Sequence, residues 1–308
     1  MDERESDGGT AQVPAGIAGR AAAATLYVVA TPLGHLRDIT LRALDVLASV
    51  DAIYAEDTRV SGVLLAHYGV AMRPRSLHAH NEALRASEVV GALAAGNSVA
   101  LITDAGTPAV SDPGARVVHA VRDAGFRVVP IPGPSALIAA ISAAGLTAPR
   151  FLFVGFLPGK RGERDAFLES VAALDAALVF HEAPHRIVKT VAALAAALDA
   201  TRTLVVAREL TKTFEAITAM PLADAGAWIV ADANRQRGEF VLIVDAPQAA
   251  HAAAPEAADA YRWVKALVAE MSPARAAHVV AQMTGVARDE LYRHAIAQRP
   301  REDGEPRG

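Results

Sequence analysis

From Thr25 onward, short apolar runs rich in β-branched residues recur along the chain, and stretches with helical spacing lie between them. The runs are TLYVVAT (25–31), SVALITD (98–104), RVVPI (127–131), FLFVGF (151–156), AALVFHE (176–182), TLVVARE (203–209) and EFVLIVD (239–245). They do not alternate with polar residues, as expected of strands covered on both faces. The intervening stretches, among them ITLRALDVLASV, NEALRASEVVGALAAG, SALIAAISAAG and RIVKTVAALAAALD, carry helical periodicity, and several end at Gly. Strands alternating with helices of this length predict an α/β protein with mainly parallel sheets.

The chain has 308 residues, enough for two domains and a small third. A helix stops at Gly145 and a turn follows, so the reading is a charged, Gly-rich extension over 1–24 without fixed structure, one α/β domain over 25–146 and another over 147–246. An Ala/Pro linker occupies 247–258, and three short helical stretches fill 259–299. In that tail Ser272-Pro273 suits a helix start, and Ala281 and Gly285 before a further helix fit a helix-turn-helix. A helical cap packed on the main body fits the same pattern. Alanine and valine supply much of the apolar content while aromatics are only 5%, which predicts close helix–sheet packing.

Lys and Arg number 30 against 34 Asp and Glu, a net charge of −4. That excludes a polybasic protein but not a local basic groove. The absence of cysteine removes disulfides, thiolate metal sites and cysteine nucleophiles together. No run approaches the ~18 apolar residues of a membrane helix, and the N-terminus lacks the basic start and apolar stretch of a secretion signal. The expected location is the cytoplasm.

Polar and special residues gather where strands end, the usual place of the ligand crevice in open α/β sheets. The loop TDAGTPAVSDPG (103–114) has two glycines and two prolines, fixing a tight turn whose backbone N–H groups can face a ligand, with Asp104 and Asp112 as acceptors. A second loop, PIPGPSA (130–136), puts Ser135 near a helix start, which suits a carboxylate or phosphate. Neither loop matches a nucleotide-binding fingerprint. His181-Glu182-Ala183-Pro184-His185 satisfies the H-E-x-x-H pattern of zinc peptidases, which requires both histidines on one continuous helix. AALVF before it reads as a strand and Pro184 suits a helix start, so no metal is expected.

TPLGHLRDITLRALDVL, AEDTR (55–59), DAGTPAVSDPG (104–114), PIPGPSA, FVGFLP (153–158), HEAPHR (181–186) and RELTK (208–212) occur in one order at one spacing. This set resembles the small-subunit ribosomal RNA (cytidine-2′-O)-methyltransferase family of the tetrapyrrole methylase superfamily, over about Thr25 to Asp245. The tail from Tyr261 resembles that family's small C-terminal helical domain. The resemblance implies two α/β domains with S-adenosylmethionine in the cleft between them, a homodimer, no metal, and the small ribosomal subunit with its 16S RNA as partner. Residues carried over as cofactor contacts are Asp104, Gly106, Thr107, Pro108, Val110, Ser111 and Asp112 from the first loop, and Ser135 and Ala136 from the second. Phe156, Leu157, Ala183 and Pro184 are expected to close over the adenosyl part.

The superfamily also includes enzymes acting on porphyrinoid rings, the nearest alternative; a zinc peptidase and a non-catalytic RNA-binding protein are more distant ones. Basic residues at strand ends favour RNA: Arg59, Lys160, Arg161, Arg164, His185, Arg186, Arg208 and Lys212 fit a shared groove that tracks phosphates. A sugar hydroxyl is a weak nucleophile, and Glu56, Asp57 and Asp112 are the candidate bases. Pairing of Asp57 with Arg59 and capping of a helix is the structural alternative for that acid.

Overall fold

The computed structural model describes residues 21–146, 148–247 and 257–297. These fall into two compact units, one running to Ala246 and one from Pro247.

The first unit holds two five-stranded sheets. The first sheet contains β1 (Thr25–Val29), β2 (Ala52–Ala55), β3 (Arg75–Ser76), β4 (Val99–Leu101) and β5 (Arg127–Ile131), in the order β3-β2-β4-β1-β5. All its pairings are parallel. The helices between them are α1 (Leu41–Ser49), α2 (Thr58–His67), α3 (Glu82–Ala94) and α4 (Ala115–Asp123). The inner strands β1, β2 and β4 are apolar on both faces, while β3 and β5 are edge strands with exposed positions. Tyr27, Val29, Ile53, Ala100 and Ile102 pack with α1 and α2, while Leu26, Tyr54, Val99 and Leu101 pack with α3 and α4.

The second sheet contains β6 (Phe151–Phe156), β7 (Ala177–Glu182), β8 (Thr203–Arg208), β9 (Ala216–Pro221) and β10 (Phe240–Val244), in the order β6-β7-β10-β8-β9. Only β6 and β7 are parallel; β7–β10, β10–β8 and β8–β9 are antiparallel. The expectation of mainly parallel sheets therefore fails for this half. A strand covered on both faces is a continuous apolar run in either direction, so the pattern could not tell the two apart.

Helix α5 (Ala136–Ala144) follows β5 but lies on the second sheet. Ala140 is fully buried against Ala177, Val179, Val205, Ala207, Val241 and Ile243. The opposite face of that sheet carries α6 (Arg161–Val171), α7 (Ile187–Ala197) and α8 (Leu222–Val230) over Leu178, Phe180, Leu204, Val206 and Leu242. Most of the strand residues against Ala140 are alanines and valines, and their small volume lets the helix sit close.

Of the extension expected over 1–24, residues 1–20 lie outside the described chain. Ala21 to Ala24 are held: the Ala21 N–H donates to Ser49 Oγ at 3.1 Å, and Ala22 N–H to the Tyr27 hydroxyl at 2.8 Å. Most of the expected linker is likewise undescribed. The second unit is α9 (Ala257–Val268), α10 (Pro273–Thr284) and α11 (Arg288–Ala297) around Val264, Ala277, Val280 and Leu291. Ser272 is the N-cap residue of α10, and Gly285 ends that helix in the left-handed region at φ 73°. No helix among the described residues is long and apolar enough to cross a membrane.

Because Ala140 is fully buried against the sheet, Ala140→Leu is expected to lift α5 from it. The cost should be about 1–3 kcal/mol, read as a lower urea midpoint at unchanged slope.

Candidate functional site

A cavity of about 410 Å³ opens where the loops after β2, β4 and β5 meet the second sheet. Thr31 and Gly106 exchange two backbone hydrogen bonds of 2.9 Å, and the Thr31 hydroxyl donates to the Thr103 carbonyl at 2.9 Å. Gly106 has φ +81°, and a Cβ there would lie 3.2 Å from Leu33 Cδ2. Its N–H is thus spent on Thr31 and does not face a ligand. Further along, Ala109 (φ 65°) and Ser111 (φ 67°) adopt left-handed conformations unusual for residues with side chains. Strain of this kind costs on the order of 1–3 kcal/mol per residue and persists only where the surroundings enforce it. Glu82 supplies part of that enforcement, accepting from the N–H groups of Gly114 and Arg116 at 2.8 and 2.9 Å where α4 begins.

Of the expected cofactor contacts, Asp104, Gly106, Thr107, Val110, Ser111 and Asp112 line the cavity, as do Ser135, Ala136, Phe156, Ala183 and Pro184. Ser135 caps α5. Pro108 and Leu157 do not reach the cavity wall, and both are buried. For Leu157 the reason is register. A bulge between Phe153 and Gly155, where Gly155 takes φ +73°, sets Phe156 opposite His181 and turns it to the cavity face. The next side chain then points the other way, into the core with Leu168 and Phe180.

Three cavity-lining carboxylates are close neighbours. Thr103, at the end of β4, donates its hydroxyl to Glu56 Oε2 at 2.9 Å. Asp104 Oδ1 accepts the Asp57 N–H at 2.9 Å, and burial raises the Asp104 carboxyl above its usual range. Asp112 is pushed up to about 7, first by desolvation and then by the negative charge of Glu56. Asp57 is different. Its carboxylate caps α2 through the Arg59 N–H and pairs with the Arg59 guanidinium, which holds it down to about 2. It does not line the cavity, so the capping role displaces the expectation of a base.

None of the eight cations expected to hold RNA lines the cavity. Lys160 and Arg161 are more than four-fifths exposed and pair within α6 with Glu163 and Asp165. Arg59 is equally exposed, while Arg164 is mostly buried beside Asp165. His185 is exposed, and Arg208 donates to the Arg237 carbonyl at 3.4 Å. Arg186 is turned inward, giving Nη2 to the Leu157 carbonyl and Nε to the buried Glu182 at 3.3 Å. Lys212 is also committed, bonding Glu209 Oε1 at 3.0 Å and Glu239 Oε2 at 2.9 Å. The two last residues therefore correct the idea of one groove shared by all these charges.

In the H-E-x-x-H pattern, His181 ends up on β7 and His185 in the turn beyond it, not on a helix. Glu182 is buried, accepting from Ala183 N–H and from the Thr190 hydroxyl, and so ties the turn to α7. Among the described residues no cluster of three or more His, Asp or Glu side chains is placed to hold a metal. The sequence reading missed Leu33, His181, Leu210, Glu239, Phe240 and Val241 as cavity residues. His181 sits edge-on to Phe153 at 5.0 Å and Phe156 at 5.9 Å, and burial lowers its pKa, keeping the imidazole neutral. Its place at the end of an apolar run was the one signal available. The walls combine apolar side chains with carboxylates and include no Lys or Arg among the described residues, which fits an organic cation with an apolar body.

The profile of the Tetrapyrrole (Corrin/Porphyrin) Methylases matches residues 25–226, which hold the first sheet, β6 to β9 of the second and most of the cavity wall, and that of the RsmI C-terminal HTH domain matches 254–299. A solved structure of the methyltransferase CobJ superimposes with a TM-score of 0.56 at 21% identity, covering 72% of this chain and 93% of the other; it shares the fold. Among curated proteins, the ribosomal RNA small subunit methyltransferase I of Mesorhizobium japonicum is 48% identical over 88% of this chain and 91% of its own length. Its namesake from Escherichia coli is 46% identical over 89% and 95%. The chain belongs to the ribosomal RNA small subunit methyltransferase I family of the tetrapyrrole methylases.

The raised Asp112 carboxyl has a consequence for stability. Its folded pKa of about 7 exceeds the ordinary 3.8, so its contribution is fully present at low pH and is lost as pH rises through 7. Asp112→Asn keeps the neutral form at every pH. It is expected to be more stable than the parent at pH 8 by about 1–2 kcal/mol after solvent screening. The gain in melting temperature should shrink as the pH is lowered towards 4.

Proposed function

We propose that this methyltransferase transfers a methyl group from S-adenosylmethionine to the 2′-hydroxyl of a cytidine in the decoding region of 16S ribosomal RNA, in the cytoplasm. The observation that carries the reading is the cation-free, carboxylate-lined cavity in a chain so similar to proteins named for small-subunit ribosomal RNA methylation. When bound, the cofactor supplies an electrophilic methyl group on a sulfonium centre. Phe156, Leu137, Leu210 and Val241 provide apolar wall for the adenosyl body, and Asp104 and Ser135 provide acceptors for its polar end. The choice of a 2′-hydroxyl on a cytidine rests on the sequence resemblance.

Methylating a hydroxyl forms one O–C bond, breaks one S–C bond and releases one proton. Asp112 is the residue suited to take that proton on its carboxylate, because a base with a pKa near the working pH combines availability with strength. Glu56 stays fixed to the Thr103 hydroxyl, and Asp57 is too weak a base beside Arg59. Holding hydroxyl and methyl donor together in line contributes up to roughly 7–11 kcal/mol of barrier lowering by proximity alone.

RNA phosphates fall to the exposed cations Arg59, Lys160 and Arg161, with the exposed His185 and the half-buried Arg208 as further donors. Their surface ion pairs are worth about 0–1 kcal/mol each and are readily exchanged for phosphate contacts. A homodimer accounts for the apolar side chains left outside, among them Ile138 on α5, Phe151 and Ile217, each more than a third exposed.

Labelled S-adenosylmethionine is expected to methylate purified small ribosomal subunits, with the label on a cytidine ribose, and to leave porphyrinoids unlabelled. Transfer to a porphyrinoid alone would replace the RNA reading. The kcat/KM for the cofactor, which reports the free enzyme, should climb as pH rises through about 7 and level off above it, and Asp112→Asn should lose this limb together with about 10²–10⁴-fold of rate. A combined Arg59, Lys160 and Arg161→Ala variant is expected to bind subunits more weakly with a flatter salt dependence, at unchanged cofactor affinity. An unchanged slope would remove these residues from the RNA surface.

A further inference from the structure

The RELTK and TPLGHL segments converge beside the cavity in a way the proposed reaction does not use. Leu33, in the loop after β1, enters the second sheet's apolar cluster and lines the cavity. The next residue, Gly34, rests on Lys212; a Cβ at Gly34 would collide with Lys212 Cγ and lie 3.3 Å from Thr211 Oγ1. The His35 N–H then donates to that same Thr211 hydroxyl at 3.2 Å.

On its other side Lys212 is fixed by carboxylates. Nζ reaches Glu209 Oε1 and Glu239 Oε2, while Glu209 Oε1 also accepts the Glu239 N–H at 2.9 Å. Glu209 and Thr211 hold left-handed backbones at φ 51° and 65°, with the cavity residue Leu210 between them. Thr211 N–H is tied down by Glu215, and Gly238 leaves the room that Glu209 occupies. A strained turn held this many times over has its geometry dictated by its surroundings.

We propose that Lys212 is a positioning residue for cofactor binding: its stem is the rest on which Gly34 sits, and its ammonium locks the Glu209–Glu239 turn, so that Leu33 and Leu210 are set at fixed depth in the cavity wall. Lys212 touches neither cofactor nor RNA in this scheme. The proposal rests on the reading of the cavity as the S-adenosylmethionine site.

The test is calorimetric titration of the full chain with S-adenosylmethionine alone, alongside steady-state methylation of small subunits. Lys212→Met, which keeps the stem and loses the charge, is expected to weaken cofactor affinity about tenfold. The cofactor KM should rise to match, with kcat at saturation within about twofold and the melting temperature close to the parent's. Gly34→Ala should do the same by displacing the stem. In a Lys212→Ala background, which has no Cγ to collide with, Gly34→Ala should add no further loss, a non-additivity that contact between the two residues requires. Should Lys212→Met fold poorly, Glu239→Gln removes one arm of the lock and is expected to give a smaller loss in the same direction. Parental affinity in Lys212→Met and Gly34→Ala, or strictly additive losses in the double variant, would overturn the proposal. Failure of the parent itself to bind the cofactor would instead overturn the reading of the cavity.

Discussion

Helix α5 is the element on which the rest depends. It leaves the end of β5 in the first sheet and buries Ala140 among alanines and valines of the second. One short helix thus fixes the second sheet against the loops of the first, and its capped N-terminus at Ser135 becomes part of the cavity wall. Large side chains at Ala177 or Ala207 would hold the helix away from the sheet and open the cavity to water. The alanine content that made the composition unusual is, at these positions, a statement about interlayer distance.

Around that anchor, contacts between the two halves are made by side chains that are small or missing. Gly34 lies on Lys212, and Gly155 brings Ser111 within 3.4 Å of where its own Cβ would be. Leu33, like Leu137 and Ile141 of α5, is a larger side chain sent across into the opposite core. Close approach at glycine and one apolar plug together shape a cavity without a long flexible loop to cover it.

The first sheet was legible where its strands are buried on both faces, as in β1 and β4, whereas the two-residue, partly exposed β3 left no apolar run to read. The second was legible as strands but not as topology. The pattern AITAMP of β9 alternates between half-buried and exposed positions on a sheet edge and ends in proline, so it has neither the β-branched run nor the two-sided burial that marks TLVVARE. The site was readable as loops at strand ends, since DAGTPAVSDPG and PGPSA do line the cavity. What the sequence could not supply was direction. Phe156 and Leu157 are adjacent and equally apolar, and only the bulge at Val154–Gly155 decides which faces the cavity. Arg186 and Lys212 look like surface cations in a string of letters; burial of Glu182 and the turn at Glu209 draw them inward. Leu33 and Glu239 carry no local signal, because each joins the wall through contacts with residues far away in the chain.

Electrostatics in the cavity follows from one physical cause with two effects. Removing Asp112 from water penalises its charged form, and the neighbouring charges of Glu56, Asp104 and Glu239 add to that penalty because no lysine or arginine lines the wall to offset it. The first effect is a carboxyl poised near neutrality, able to hold a proton or release it at ordinary pH. The second is a negative field from Glu56, Asp104 and Asp112 inside a partly desolvated space, where a positively charged ligand is stabilised more than it would be in water. A guanidinium placed in the wall would abolish both at once, lowering Asp112 and repelling the cation. The inward-turned Arg186 and the clasped Lys212 keep their charge at the periphery, where each is matched to a glutamate. That segregation leaves the cavity's negative charge to the cationic donor, whose binding in turn lowers Asp112 and favours its carboxylate form.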